Sequence, residues 1–205
     1  MNPDFGQVEV DPSVLNLTAF ETEFDEKRPF FIEGGSFFKN RYQLLHSRRI
    51  GQAPGILAPE ESVIINRPET TTILGAGKIL GEMEGGTKYG IIEAVTDEEF
   101  GVWEYESGDS IVQESGMLEP RTNYFIGRVE QPVFNPLSTV GFMVTDVRRN
   151  NAGYASVQGL DWKLKFMENA LTLKGQLVQS TKDNVSGNGA RFNIGYNDPI
   201  WWDLN

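Results

Sequence analysis

The chain has no cysteine among its 205 residues. Disulfides, thiol nucleophiles and cysteine-bound metals are therefore excluded. A single histidine, His46, rules out a zinc site built from several imidazoles. Positive charge is scarce: 18 Lys and Arg stand against 29 Asp and Glu, a net charge of −11. A nucleic-acid binder needs a basic face to displace phosphate counterions, so nucleic acid is not an expected partner. No apolar run approaches the roughly 18–20 residues of a membrane helix. Met1-Asn2-Pro3-Asp4 has neither the basic start nor the apolar stretch of a signal peptide. Modest hydropathy does not exclude a membrane β-barrel, in which only alternate strand residues meet lipid.

What the chain has is glycine, 22 residues of it, and alternation. From about Thr71 onward it reads as short strands of roughly ten to twelve residues each, long enough to cross a bilayer at a tilt. In 154–166, Leu160, Trp162, Leu164 and Phe166 fall on one face and Asp161, Lys163 and Lys165 on the other. Val140, Phe142 and Val144 oppose Thr139, Gly141, Met143 and Thr145. Leu171, Leu173, Gly175 and Leu177 oppose Thr172, Lys174 and Gln176. Phe125, Gly127 and Val129 oppose Arg128 and Glu130, and Phe192, Ile194 and Tyr196 oppose Arg191, Asn193 and Gly195. The segments 71–83 and 87–95 are ambiguous, with Lys78 and Glu93 marking polar faces but apolar residues on both.

The connections alternate in length. Short turns are expected at Glu84-Gly85-Gly86, near Asn135-Pro136 and at Glu168-Asn169-Ala170. Longer polar loops are expected at Thr96 to Thr122, Arg148 to Gly153 and Thr181 to Gly189. Short turns at one end and long loops at the other are the habit of transmembrane barrels. Alternation alone leaves the architecture open, because a soluble sandwich turns its apolar face inward and a membrane barrel turns it outward. Mixed charge along the polar faces suits a wet lumen. Tyr124, Phe134, Tyr154, Phe166, Trp201 and Trp202 near strand ends suit interfacial girdles.

Residues 1–68 differ. Phe5 to Val10 has strand character. Thr18 and Glu21 have capping-box spacing, Phe20 and Phe24 share a helix face, and Pro29 is expected to end a helix over 18–28. Tyr42 to Ser47 and Ser62 to Asn66 read as strands.

Motifs that suggest chemistry are weak. Gly75 to Gly81 resembles a phosphate loop, but the spacing is wrong and no helix follows; strand glycines that admit close packing are the better reading. His46 has no Gly-x-Ser-x-Gly elbow to serve. The carboxylates Asp97, Glu98, Glu99, Glu104, Glu106 and Asp109 lack the regular spacing of a calcium loop. No catalytic set, metal site or cofactor is assigned. The basic pairs Lys27-Arg28 and Arg48-Arg49 are read either as salt-bridged to the abundant acids or as lumen charges that shape selectivity for an anionic solute.

A family resemblance rests on Asn2 to Glu9, Leu17 to Thr22 and Glu26 to Gly34, and on Ser47-Arg48-Arg49-Ile50-Gly51. Shorter matches include Glu93 to Thr96, Ser138 to Gly141 and Gly159 to Trp162. Together they resemble the DUF5916 family. The resemblance implies a protein of the bacterial envelope, carrying an N-terminal carbohydrate-binding family 9-like domain followed by an outer-membrane barrel that this chain would begin and not complete. His46 stands where the family usually has an aromatic.

The expected fold is thus all-β: an antiparallel meander of hairpins, seven or eight strands in all, forming a partial transmembrane β-barrel with a short N-terminal helix. Residues 1–68 would form an N-terminal segment and 69–205 the hairpins. The open sheet would have unpaired edges. Arg128, Glu130, Asp161, Lys163, Lys165, Lys174, Arg48 and Arg49 would line the lumen. Outer-membrane lipid would be the partner, with oligosaccharide or polysaccharide as solute. The expected function is non-enzymatic, a structural or transport role in the envelope. The alternatives are a carbohydrate-active hydrolase, which needs two carboxylates about 5–9.5 Å apart, and a soluble all-β binding module.

Overall fold

The computed structural model describes residues 26–40, 42–108 and 110–196. In chain order the strands are β1 (Val63–Asn66), β2 (Ile73–Glu82), β3 (Lys88–Thr96), β4 (Glu99–Ser107), β5 (Ser110–Glu119), β6 (Thr122–Val133), β7 (Asn135–Arg149), β8 (Tyr154–Phe166), β9 (Leu171–Lys182) and β10 (Val185–Tyr196). Among the described residues, one helix, α1 (Pro29–Ile32), and two single 3-10 turns, Gly35–Phe38 and Ser47–Arg49, precede them.

Every strand pairing is antiparallel. Seven strands form one sheet in the order β10-β9-β8-β7-β6-β3-β2, and three form a second in the order β1-β4-β5. The large sheet is an open meander: β2 and β10 are its two edges, and no closed barrel forms among the described residues. The ten strands among the described residues exceed the seven or eight expected. The difference lies in β4 and β5, where a long polar loop over Thr96 to Thr122 was expected. That segment is a hairpin with nine paired positions, turning at Gly108 with φ +62°. Its outward carboxylates disguise the alternation that buries Trp103 and Leu118. The expected loop at Thr181 to Gly189 is likewise a tight hairpin, since β9 runs to Lys182 and β10 begins at Val185. The loop-length asymmetry therefore reduces to one excursion, the β4–β5 hairpin.

Register fixes the faces of the large sheet. Glu130, Gly141, Asp161, Gln176 and Arg191 lie opposite one another across five adjacent strands. The neighbouring row runs Gly90, Arg128, Met143, Gly159 and Val178. This face is covered by residues 26–50. Phe31, Phe38 and Ile50 pack with Ile92, Ala94, Tyr124, Ile126 and Met143 into the main core. The covering segment crosses the strands along a lane that includes two glycines. A methyl group on Gly90 would lie 2.7 Å from the Phe38 ring, and one on Gly159 would lie 2.5 Å from Leu44. The opposite face carries Phe142, Leu160, Leu177 and Phe192, which are 40–65 % exposed and outside the core.

The covered face explains why β2 and β3 looked ambiguous. On that side they meet phenylalanines from the covering segment, so apolar residues such as Ala76 and Ile92 are needed there too. Several other expectations are corrected. Tyr42 to Ser47 is not a strand: Asn40 accepts the amides of Gln43 and Leu44, and the Gln176 side chain accepts that of Tyr42. Pro29 starts a helix instead of ending one, because its fixed φ suits the first helical position and leaves Arg28 extended. The capped helix over 18–28 falls outside the described residues, apart from 26–28, which are not helical. Tyr124 is buried under the covering segment, not placed in a girdle. Phe134, Tyr154 and Phe166 are exposed, and Trp201 and Trp202 lie outside the described residues. Gly75 and Gly77 have open space above them, so close packing does not explain those two. Gly81 does fit it, lying beneath the Tyr89 ring.

Candidate functional site

The covered face holds a charge cluster centred on Arg128, which is 4 % exposed. β6 points Arg128 and Glu130 to the same side, two residues apart. β8 brings Asp161 across the glycine of the strand between them, since Gly141 pairs with both Glu130 and Asp161. Asp161 accepts from Arg128 at both ends of the fork, 2.7 Å from Nη1 to Oδ2 and 2.8 Å from Nη2 to Oδ1. Glu130 accepts from Nη2 at 3.3 Å. Gly141 makes the bridge possible: a Cβ there would sit 2.9 Å from Nη2. The Phe37 ring caps the guanidinium, with its centroid 5.7 Å from Cζ. Burial works against the Arg128 charge, but the hydrogen bonds and charge of Asp161 outweigh it and raise the guanidinium pKa. Arg128 Nε and Gln176 Nε2 are buried without an acceptor among the described residues.

Lys163, Lys165 and Lys174 share this face. Lys163 and Lys174 are directly opposite across β8 and β9, and Lys165 lies two residues further along β8. Lys163 is exposed and the other two are half-buried. Sequence reasoning thus placed six residues on one face, where they form a paired cluster beside a basic strip that has no ion pair among the described residues. Arg48 and Arg49 are not part of it. They sit in the Ser47–Arg49 turn at the far end of the covering segment.

That end is held by a second cluster. The Arg28 guanidinium is bound by Glu26 at 2.8 Å through both Nε and Nη2, and donates to the carbonyls of Ile50 at 2.6 Å and Ser47 at 2.8 Å. Ser47 Oγ donates to Glu26 at 2.6 Å. Partial burial pushes the Glu26 carboxyl up, but the Arg28 and Ser47 hydrogen bonds bring it down to about 2. On β2, Lys78 Nζ donates to the carbonyls of Phe30 and Glu33, tying α1 to the sheet edge. Neither Glu93 nor Glu130 joins this cluster. Glu93 instead lies on the opposite face and accepts from Asn123, while Glu130 is engaged by Arg128.

Gln176, Phe37 and the carbonyl acceptors of Arg28 escaped sequence reasoning. One signal for Gln176 was present: meander order places it beside Asp161 once β8 and β9 are paired. The salt bridge of Arg28 to Glu26 is in line with one of the two readings of the basic pairs, but the carbonyls of Ser47 and Ile50 left no signal, because only the turn at 47–50 brings them close.

The large antiparallel sheet and its strapped, charged face define an all-β protein, and no catalytic constellation is recognisable among the described residues. The family model for a domain of unknown function, DUF5916, matches residues 1–201, and the chain belongs to that family. No curated protein and no solved structure matches it.

Proposed function

We propose that this chain forms part of the wall of a bacterial outer-membrane β-barrel, with residues 26–50 lying in the lumen. Its role is non-enzymatic, structural or in transport, and its solute is an oligosaccharide or polysaccharide. One observation carries this reading. The covered face carries the Arg128 charge cluster beside the main core, whereas Phe142, Leu160, Leu177 and Phe192 on the other face stand open. A soluble domain buries the apolar face and solvates the polar one; a membrane barrel does the reverse. A glycoside hydrolase fits less well. Its two carboxylates must reach substrate across a cleft, and here Glu130 and Asp161 both accept from one buried guanidinium.

The test is lipid contact at Trp162, which lies on the open face in register with Val140 and Gly175. The chain, keeping Trp162 as its sole tryptophan, is reconstituted into vesicles whose acyl chains carry bromine at graded depths. Quenching of Trp162 by bromine within the hydrocarbon region is the expected result. A detergent-free monomer with unquenched Trp162 would overturn the membrane reading.

A further inference from the structure

We propose that the basic strip on the covered face of the large sheet is a binding site for a multiply charged phosphate-type oxyanion. Lys163 and Lys174 face each other directly across β8 and β9. Lys165 adjoins Lys163 on the same face, and Arg191 on β10 pairs with Gln176, placing it diagonally beside Lys174. Directly opposed cross-strand residues sit about 5 Å apart, and like charges there destabilise a sheet. None of these four cations has an ion pair among the described residues.

The arrangement is notable in a chain with an excess of acids. Two carboxylates of the same face, Asp161 and Glu130, are engaged by Arg128 and form no ion pair with the four cations. Asp161 lies two residues from Lys163, close enough to have paired with it, yet both of its oxygens accept from Arg128. The covering segment also stops short of the strip. Tyr42 and Leu44 lie over Gln176 and Gly159, one and two rows away, while Lys163 and Arg191 remain exposed. In the row next to the strip, Gln176 is fully buried; its Nε2 is turned toward Gly159 and finds no acceptor among the described residues. Four uncompensated cations around an open lane suit a ligand that supplies several acceptor oxygens and at least two negative charges. Lysine meets such groups as a mobile point charge, without demanding a bidentate plane.

Pyrophosphate serves as the free probe and phosphatidic acid vesicles, whose phosphate monoester can carry two charges, as the headgroup probe. The full chain, folded in detergent micelles or in buffer, is titrated calorimetrically with pyrophosphate at two sodium chloride concentrations. Saturable binding that weakens with salt is expected. Lys163→Gln with Lys174→Gln should weaken it about tenfold or more, the loss of roughly two charge-assisted contacts. Lys163→Arg with Lys174→Arg should retain it, and so should Arg148→Gln, which removes an exposed cation from the opposite face. Without ligand, the double glutamine variant should unfold no more readily than the parent, because it relieves a like-charge contact. Pyrophosphate competing with vesicle binding would show that the strip also accepts a headgroup phosphate; binding of pyrophosphate without competition would identify a free anion. No pyrophosphate binding by the parent, or equal binding by the double glutamine variant, would overturn the proposal. The site does not depend on the membrane reading: a soluble chain that binds pyrophosphate would refute the barrel alone, and a lipid-quenched barrel that does not bind it would refute the site alone.

Discussion

Asp161 and Arg128 meet in a two-point contact across an intervening glycine, on strands separated by one neighbour. The contact ties β6 to β8 on the face where Phe37 closes over the guanidinium. It fixes register as well as charge, because a one-residue slip of either strand would send its partner to the opposite face. Glu130 adds a weaker contact from the same strand as Arg128 and does not span the sheet.

Removing one member of this pair should cost more than removing both. Asp161→Ala leaves a buried guanidinium with Glu130 alone, and a broken buried pair typically costs about 3–5 kcal/mol. With Glu130 still present, about 3 kcal/mol is expected. Arg128→Met combined with Asp161→Leu should be markedly milder, since neither charge then remains buried. Equilibrium urea unfolding of the three proteins gives the comparison; a double variant as unstable as Asp161→Ala would contradict the account.

Glu26 supplies a pH dependence for the covering segment. Its carboxyl is held at about 2, against 4.5 ordinarily. A depressed folded-state pKa stabilises fully above the unfolded value and is lost as pH falls through the folded one. The clamp should therefore hold above pH 4.5 and weaken between about pH 4.5 and 2. The shift corresponds to roughly 3 kcal/mol at most. Hydrogen exchange at Arg49 and Ile50, whose amides close the turn at 46–50, should accelerate over that window more than exchange in β7 and β8, after correction for intrinsic rates. Glu26→Gln should remove the pH dependence and give fast exchange at pH 6.

The glycines of the large sheet should divide by what lies above them. Gly90→Ala forces a methyl group to within 3 Å of the Phe37 and Phe38 rings and of Leu80. Overpacking of this kind costs about 1–3 kcal/mol. Gly77→Ala meets nothing within 4 Å and should be neutral or stabilising by a few tenths of a kcal/mol through the unfolded state. Thermal unfolding midpoints of the two variants test the lane that seats the covering segment. Equal midpoints would mean that this lane does not require glycine at position 90.

These contrasts mark what could be read from the sequence. The alternation of Leu160, Trp162 and Leu164 against Asp161 and Lys163 gave β8 and its faces directly, because period two survives wherever one side is polar. From β8 the placement of Arg128, Glu130, Lys165 and Lys174 on one face followed. β4 and β5 were hidden by Glu104, Glu106 and Glu114, which interrupt the apolar pattern on a strand pair exposed to solvent. Gly108-Asp109 between two β-branched and aromatic runs was the usable hairpin signal. The covering segment left no period to find. Its shape comes from Asn40 and Arg28 bonding to backbone groups, and those contacts depend on the sheet beneath.

The open face provides the most discriminating stability test. Leu160 is 40 % exposed and lies opposite Phe142 and Leu177, themselves 46 % and 42 % exposed. If this band faces hydrocarbon, Leu160→Lys places a charge near the middle of a strand at bilayer depth, at a cost of about 2–4 kcal/mol. If the face is solvated, the same change is a surface substitution worth about 0.5 kcal/mol or less. Lys163→Leu, on the opposite face of the same strand, serves as the companion and relieves the contact with Lys174. Unfolding free energies of both variants, measured in lipid vesicles and again in buffer, separate the alternatives. A large penalty for Leu160→Lys in vesicles, with little change for Lys163→Leu, is expected. A penalty below about 0.5 kcal/mol in both media would place the band in water and remove the main support for the barrel.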